Sequence, residues 1–283
     1  MKYSVQHSTG YYYSGLVWDS FNDAHLCPVS DDLQRCDWFE LKIMPASFSV
    51  LRRLDFYTNQ VHHFEVMEPH GSLEVIADSV VETFTDSRDF SVACSFQSLA
   101  ELRRDERYYD FMSASPRVAL IPMIEHEAKE IVDLTGDVQV AVERIMAFID
   151  EQFEYAPGST QVESTVAEVF VHKRGVCQDF AHLMIALARV VGIPARYVSG
   201  YFYMEKAVSG TAHDNAASHA WVECFLPGIG WVGYDPTHNR RVDASYIKVA
   251  IGRDYADVRP LAGSYRGDKN VRMEVSVRVD RID

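Results

Sequence analysis

A chain of 283 residues has enough interior for one large domain or two ordinary ones without covalent staples. With 47% hydrophobic and 24% charged residues, 15 glycines and 10 prolines, it has the composition of a folded globular protein and not of a disordered or fibrous one. Its formal net charge of -14 has the wrong sign for a polyphosphate backbone, which excludes nucleic acid as a partner.

The first residues, Met1 to His7, alternate polar and apolar side chains and lack the charged-then-apolar order of a signal peptide. No apolar run approaches membrane-spanning length, so no membrane partner is expected and the cytoplasm is the expected compartment. The five cysteines, Cys27, Cys36, Cys94, Cys177 and Cys224, include no CxxC pair, and their odd number argues against a disulfide framework or a zinc ribbon. Four of them read as small buried hydrophobes. Cys177 has a different setting, given below.

In chain order, the first ninety or so residues read as strands. Tyr3–Gln6, Tyr11–Tyr13, Phe39–Ile43, Phe48–Phe56, Val61–Met67 and Leu73–Phe84 are rich in β-branched and aromatic residues with frequent period-two alternation. Turn-forming residues at 55–60 and at Pro69-His70-Gly71 separate them, which predicts an antiparallel β-sandwich over residues 1–95. From Phe96 the period changes. A helix is expected around Leu99–Phe111, and an amphipathic one carries Val138, Val142, Ile145, Phe148 and Ile149 on one stripe. Thr165 and Glu168 have capping-box spacing ahead of Val169 and Phe170, and Gly175 breaks that short helix.

A buried helix follows from Val176 to Val191, stopped by Gly192-Ile193-Pro194, and Cys177 opens it. Three strand-like runs come next, Ala195–Tyr203, Ala217–Leu226 and Trp231–Tyr234, with Gly228-Ile229-Gly230 as the turn between the last two. The tail alternates Val271, Met273, Val275, Val277 and Val279 against charged residues and is expected to close the sheet of an α+β domain over 96–283.

A thiol attacks carbonyls as a thiolate, and a helix N-terminus favours the anion through its unpaired N–H groups and dipole. An imidazole completes the ion pair and later protonates the leaving group, and a carboxylate behind it fixes the tautomer. His219, in Ser218-His219-Ala220-Trp221, and Asp235, ahead of Pro236, lie on adjacent predicted strands. Pairing across the glycine turn brings them to one edge.

Four segments, Gly175-Val176-Cys177-Gln178-Asp179-Phe180-Ala181, Gly192-Ile193-Pro194-Ala195-Arg196-Tyr197, Ser218-His219-Ala220-Trp221-Val222-Glu223 and Tyr234-Asp235-Pro236-Thr237, resemble the Cys, His and Asp boxes of the transglutaminase-like superfamily. The run Gly252-Arg253-Asp254-Tyr255-Ala256-Asp257-Val258 and the N-terminal β region are similar to its bacterial branch. The resemblance implies a papain-like core, with Cys177 on a helix N-terminus and His219 and Asp235 on sheet strands as a catalytic triad. It implies thiol-dependent acyl transfer on amide bonds, without a cofactor, on a peptide or protein substrate. Water as acceptor makes a cysteine protease or amidase, which is the expected outcome; an amine makes a transglutaminase; and a non-catalytic scaffold is the remaining alternative. Phe56-Tyr57-Thr58-Asn59-Gln60 departs from the family's Asp-x-x-Gly-Asn, so a turn glycine is missing there, and Arg259-Pro260 departs from the usual pair before that proline.

Gln178 is a candidate oxyanion donor beside the Cys177 backbone N–H, and reads equally as a solvated first-turn residue. Trp221, Trp231, Tyr197 and Tyr234 either line the acyl cleft or fill the core. His213, Asp214, His219 and His238 match no zinc-ligand spacing, so no metal is expected.

Overall fold

The computed structural model describes residues 1–47, 49–102, 104–158, 164–204, 218–267 and 270–283. Phe48, Ala217, His213 and Asp214, which figure in the expectations above, lie outside these residues. Five strands open the chain: β1 (Lys2–Ala24), β2 (Gln34–Met44), β3 (Val50–Leu54), β4 (Gln60–Val66) and β5 (His70–Thr83). Helices α1 (Phe96–Leu102), α2 (Glu106–Tyr109), α3 (Pro122–Ile131), α4 (Val138–Gln152), α5 (Val166–His172) and α6 (Cys177–Val190) follow, with the two-residue strands β6 (Glu154–Tyr155) and β7 (Arg174–Gly175) among them. The rest is β8 (Ala195–Phe202), β9 (Ser218–Leu226), β10 (Gly230–Asp235), β11 (Arg240–Arg241), β12 (Tyr246–Gly252), a 3-10 turn at Tyr255–Asp257, β13 (Leu261–Gly267) and β14 (Val271–Arg281). The fold is α+β: an N-terminal curled antiparallel sheet followed by helices packed on a second antiparallel sheet.

The two layers expected of a sandwich come from a single sheet that curls. β1 is long enough to serve both: its first half pairs with β5 and β14, its second with β4 and β13. Between them Tyr12 pairs with Ser72 and Val17 with His70, so β1 spends three extra residues on a bulge that turns the sheet. Phe64 and Val66 of β4 then meet Leu73, Val75 and Ala77 of β5 in a small core of their own. The last two strands, which sequence patterning places in the 96–283 unit, hydrogen-bond to β1 instead. Period two announces a strand but carries no information about its partner. A cut at residue 96 would therefore strip β13 and β14 of the strand they pair with.

The second sheet runs β11-β10-β9-β8-β12, with α6 packed against β8 and β9. Its main core unites α3, α4, α5 and α6 with Tyr3, Val5, Val81, Val277 and Val279 of the N-terminal sheet. β12 is an edge strand, and edges are sites of unwanted pairing. Two side-chain amides seal it: Gln34 donates to the Lys248 carbonyl at 2.8 Å and accepts from its N–H at 2.7 Å, and Asn59 does the same for Ile251 at 2.7 and 2.8 Å.

Asn59 is aimed by the β3–β4 turn, where Asp55 accepts from the N–H groups of Tyr57 and Asn59. Thr58 occupies the position of the missing glycine and has φ 66°. The left-handed region costs a β-branched L-residue about 1–2 kcal/mol, part of which glycine returns through its unfolded-state entropy. Thr58→Gly is thus expected to raise stability by about 0.5–1 kcal/mol in urea unfolding; a loss would show that the turn has adapted to threonine.

The expected helix at Leu99–Phe111 is two short ones, since Asp105 caps a new start by accepting from the Arg107 N–H at 3.0 Å. The Thr165–Glu168 capping box is present, and α5 ends on Lys173 in the left-handed conformation, ahead of Gly175.

Candidate active site

α6 is almost wholly buried from Asp179 to Arg189, and the half-buried Cys177 is its first residue. Asp179, 1% exposed, folds back so that its carboxylate accepts from the Val176 N–H at 2.9 Å, fixing the turn into the helix. Gly175 makes room for this: a Cβ there would lie 2.8 Å from the Asp179 Cβ. β6 runs parallel to β7, with the Ala156 N–H donating to the Gly175 carbonyl at 2.9 Å. This sets the half-exposed Tyr155 opposite Gly175, two residues before Cys177, with its ring against Phe180. Burial first, then the charges of Cys177 and Asp235, push the Tyr155 hydroxyl upward.

β9 and β10 pair with Tyr234 opposite Val222. One residue further, Asp235 falls level with Trp221 and diagonal to His219 on the same face, within reach of its ring. His219 Nε2 is 2.7 Å from Asp235 Oδ2. Asp235 is 0% exposed, and the same oxygen accepts from His238 Nδ1 and the Tyr246 hydroxyl, each at 2.7 Å, while Oδ1 accepts from the Thr237 N–H at 2.9 Å. Burial works against the Asp235 carboxylate, but hydrogen bonds from His219, His238 and Tyr246 prevail and hold it far below the usual range. An ionised Asp235 requires Nε2 to carry the proton, which leaves Nδ1 as the ring nitrogen of His219 for Cys177, a thiol near enough to raise the imidazole. Burial penalises the imidazolium, yet the bonds to Asp235 and then Cys177 outweigh it and push His219 up to about 9.

An aromatic shell surrounds this pair. Trp221 stacks on His219 with ring centroids 6.2 Å apart, Phe202 lies 5.8 Å away and Tyr246 6.1 Å. Gly200, opposite His219 on β8, lets the Trp221 indole cross the strand: a Cβ there would stand 2.5 Å from the ring and 2.1 Å from the Ile247 carbonyl. Trp221, Tyr197 and Tyr234 are 1%, 2% and 0% exposed and act as core side chains. Trp231 is half-buried among Phe111, Tyr108 and Phe225, under the Arg196 guanidinium at 4.2 Å. Gln178 is half-buried at the second position of α6. The structure thus brings Cys177, His219 and Asp235 together and adds Tyr155 and Tyr246, which sequence patterning does not single out, and His238, which it weighs only as a metal ligand. The spacing Asp235-x-x-His238 across Pro236-Thr237 is the signal that places His238 beside Asp235.

Of the grouping weighed for a metal, His219 and His238 do converge, with Asp235, their ligand-type atoms within 4.8 Å of one another. Two ring N–H donors on one carboxylate oxygen account for that geometry as hydrogen bonding.

Residues 126–236 match the transglutaminase-like superfamily, a range that includes Cys177, His219 and Asp235, and residues 3–82 match the bacterial transglutaminase-like N-terminal region. An uncharacterised protein of Mycobacterium leprae is 34% identical over 280 residues, covering 98% of both chains. A protein-glutamine gamma-glutamyltransferase of Pseudomonas aeruginosa is 35% identical over 133 residues, which are 44% of this chain and 20% of that protein. A crystal structure from Cytophaga hutchinsonii, described as a "putative cysteine protease", shares the fold with a TM-score of 0.79 at 22% identity, over 100% of this chain and 92% of that one. The chain belongs to the transglutaminase-like superfamily, in the branch that carries the bacterial transglutaminase-like N-terminal region.

Proposed function

We propose that the protein is a thiol-dependent acyl-transfer enzyme that cleaves amide bonds, with water as acceptor, through Cys177, His219 and Asp235. The observation that carries this reading is the His219 imidazole held between an ionised carboxylate and a thiol at the head of a buried helix. The Cys177 thiolate attacks the amide carbonyl carbon, and the oxyanion is met by the Cys177 N–H and by Gln178. His219 Nδ1 gives its proton to the departing amine as the C–N bond breaks, leaving a thioester and a neutral imidazole. That imidazole takes a proton from water as its oxygen attacks the thioester; the carboxylic acid leaves and the ion pair re-forms. Asp235 stays ionised throughout and holds the imidazole.

Transamidation is the second reading, supported by the name of the Pseudomonas aeruginosa relative. The same thioester would then pass to an amine. The two are separated by supplying peptide amides and glutamine peptides with and without a primary amine and identifying products by mass. Free acid at an amine-independent rate supports hydrolysis; amine adducts in place of acid would overturn it. No turnover of either kind, with folded protein, would leave a binding scaffold.

His238 is 36% exposed at its side chain and gives Asp235 Oδ2 one of its three donors. His238→Ala leaves His219 and Tyr246 in place, so turnover is expected to fall by no more than about tenfold, against about a thousandfold or more for His219→Ala. Equal losses would make His238 a direct participant.

A further inference from the structure

Among the described residues, β14 pairs with β1 alone, and its other edge is open along eleven residues. The Ser14 N–H donates to the Asn270 carbonyl and the Ile282 N–H to the Lys2 carbonyl, so even-numbered residues of this stretch face β1. By antiparallel alternation the odd ones, 271 to 281, turn their N–H and C=O groups outward. The odd side chains also continue a buried stripe into solvent: Val277 and Val279 are 9% and 7% exposed, whereas Val271, Met273 and Val275 are 43%, 58% and 49%.

Charges normally blunt such an edge. Here their order is self-complementary. Set antiparallel to a copy of itself about Ser276, the strand places Arg272 opposite Asp280 and Glu274 opposite Arg278, each twice. Val275 meets Val277 and Met273 meets Val279, and these odd residues are the ones with outward hydrogen-bonding groups. A slip of two residues puts Glu274 opposite Asp280 in one direction and Arg272 opposite Arg278 in the other, so the charges select one register. Within the chain Arg272 already reaches Glu274 at 3.3 Å and Arg278 reaches Asp280 at 2.6 Å, and the second strand extends these pairs into a ladder of alternating sign.

We propose that the open edge of β14 is a self-association surface on which a second copy of this chain adds its own β14 about a two-fold axis through Ser276, joining two curled sheets into one continuous sheet. Sedimentation velocity of the full chain across the micromolar range should show a dimer. Glu274→Arg and Arg278→Glu each set like charges opposite one another twice and are expected to weaken association at least about tenfold, while the double swap restores it. Both side chains are exposed, and circular dichroism confirms that the variants fold. Ser276→Cys, facing itself across the axis, should cross-link two chains on mild oxidation. A monomer throughout the range, a dimer indifferent to the single swaps, or a Ser276→Cys dimer without the cross-link would each overturn the proposal.

Discussion

Cys177→Ala is expected to reduce amide hydrolysis by at least about 10⁴-fold while leaving the fold intact, because it removes the atom that forms the thioester and no other group near the site can replace it. The structural cost is small. Cys177 is half-buried at a helix start, and losing one sulfur there should change stability by no more than about 1 kcal/mol. Turnover at saturating substrate, alongside urea unfolding of the same preparation, separates the two effects. Residual activity within tenfold of the parent would remove Cys177 from the mechanism.

Asp235→Asn has the second-largest expected effect. An amide is nearly isosteric with the carboxylate but cannot satisfy this pocket: with its oxygen toward His219, His238 and Tyr246, its NH₂ meets the Thr237 N–H, and when flipped it faces those three donors. Either way a buried donor confronts a donor, at a cost of about 1–3 kcal/mol. The main support of the His219 imidazolium also disappears. His219 raised to about 9 stays protonated through neutral pH, so kcat/KM should hold on the alkaline side until pH approaches 9 and then fall as the proton is lost. In Asp235→Asn that limb moves to lower pH, and kcat/KM at pH 8 drops about 10²- to 10⁴-fold. Linkage gives a companion expectation. A group whose folded value lies above its unfolded one stabilises fully below the unfolded value of about 6.5, and that contribution fades as pH rises through about 9. The stability gap between the parent and His219→Ala should therefore narrow from pH 6.5 to 9. An unchanged alkaline limb in Asp235→Asn would mean that another group sets His219.

What the residues disclose and what they withhold divides along range of interaction. Cys177 at a helix start is readable because Gly175, the apolar stripe of α6 and the Gly192-Ile193-Pro194 stop are local. His219 beside Asp235 is readable because one short glycine turn sets the β9–β10 register. α3 is not, since Glu125, His126, Glu127, Lys129 and Glu130 leave only Ile124 and Ala128 buried on it, too few for a periodic stripe. Nor is the pairing of β13 and β14 with β1, at the opposite end of the chain, because alternation is blind to partners. Tyr155 and Tyr246 likewise come to the site by pairing that alternation does not specify. Tyr155 enters through two residues of parallel strand, Tyr246 through the β8–β12 ladder. The missing turn glycine is legible as a departure, but only backbone geometry reveals that Thr58 keeps the glycine's conformation.

Whether His219 and Cys177 form a working pair is read from alkylation with iodoacetamide at pH 6, followed at each cysteine by mass spectrometry. Cys36 is also half-buried, with its thiol lowered by a hydrogen bond from Cys27, so the informative comparison is Cys177 with and without His219. The pair predicts rapid labelling of Cys177 in the parent and a loss of at least about tenfold in His219→Ala, with Cys36 unchanged. Labelling of Cys177 at the same rate in both proteins would contradict it.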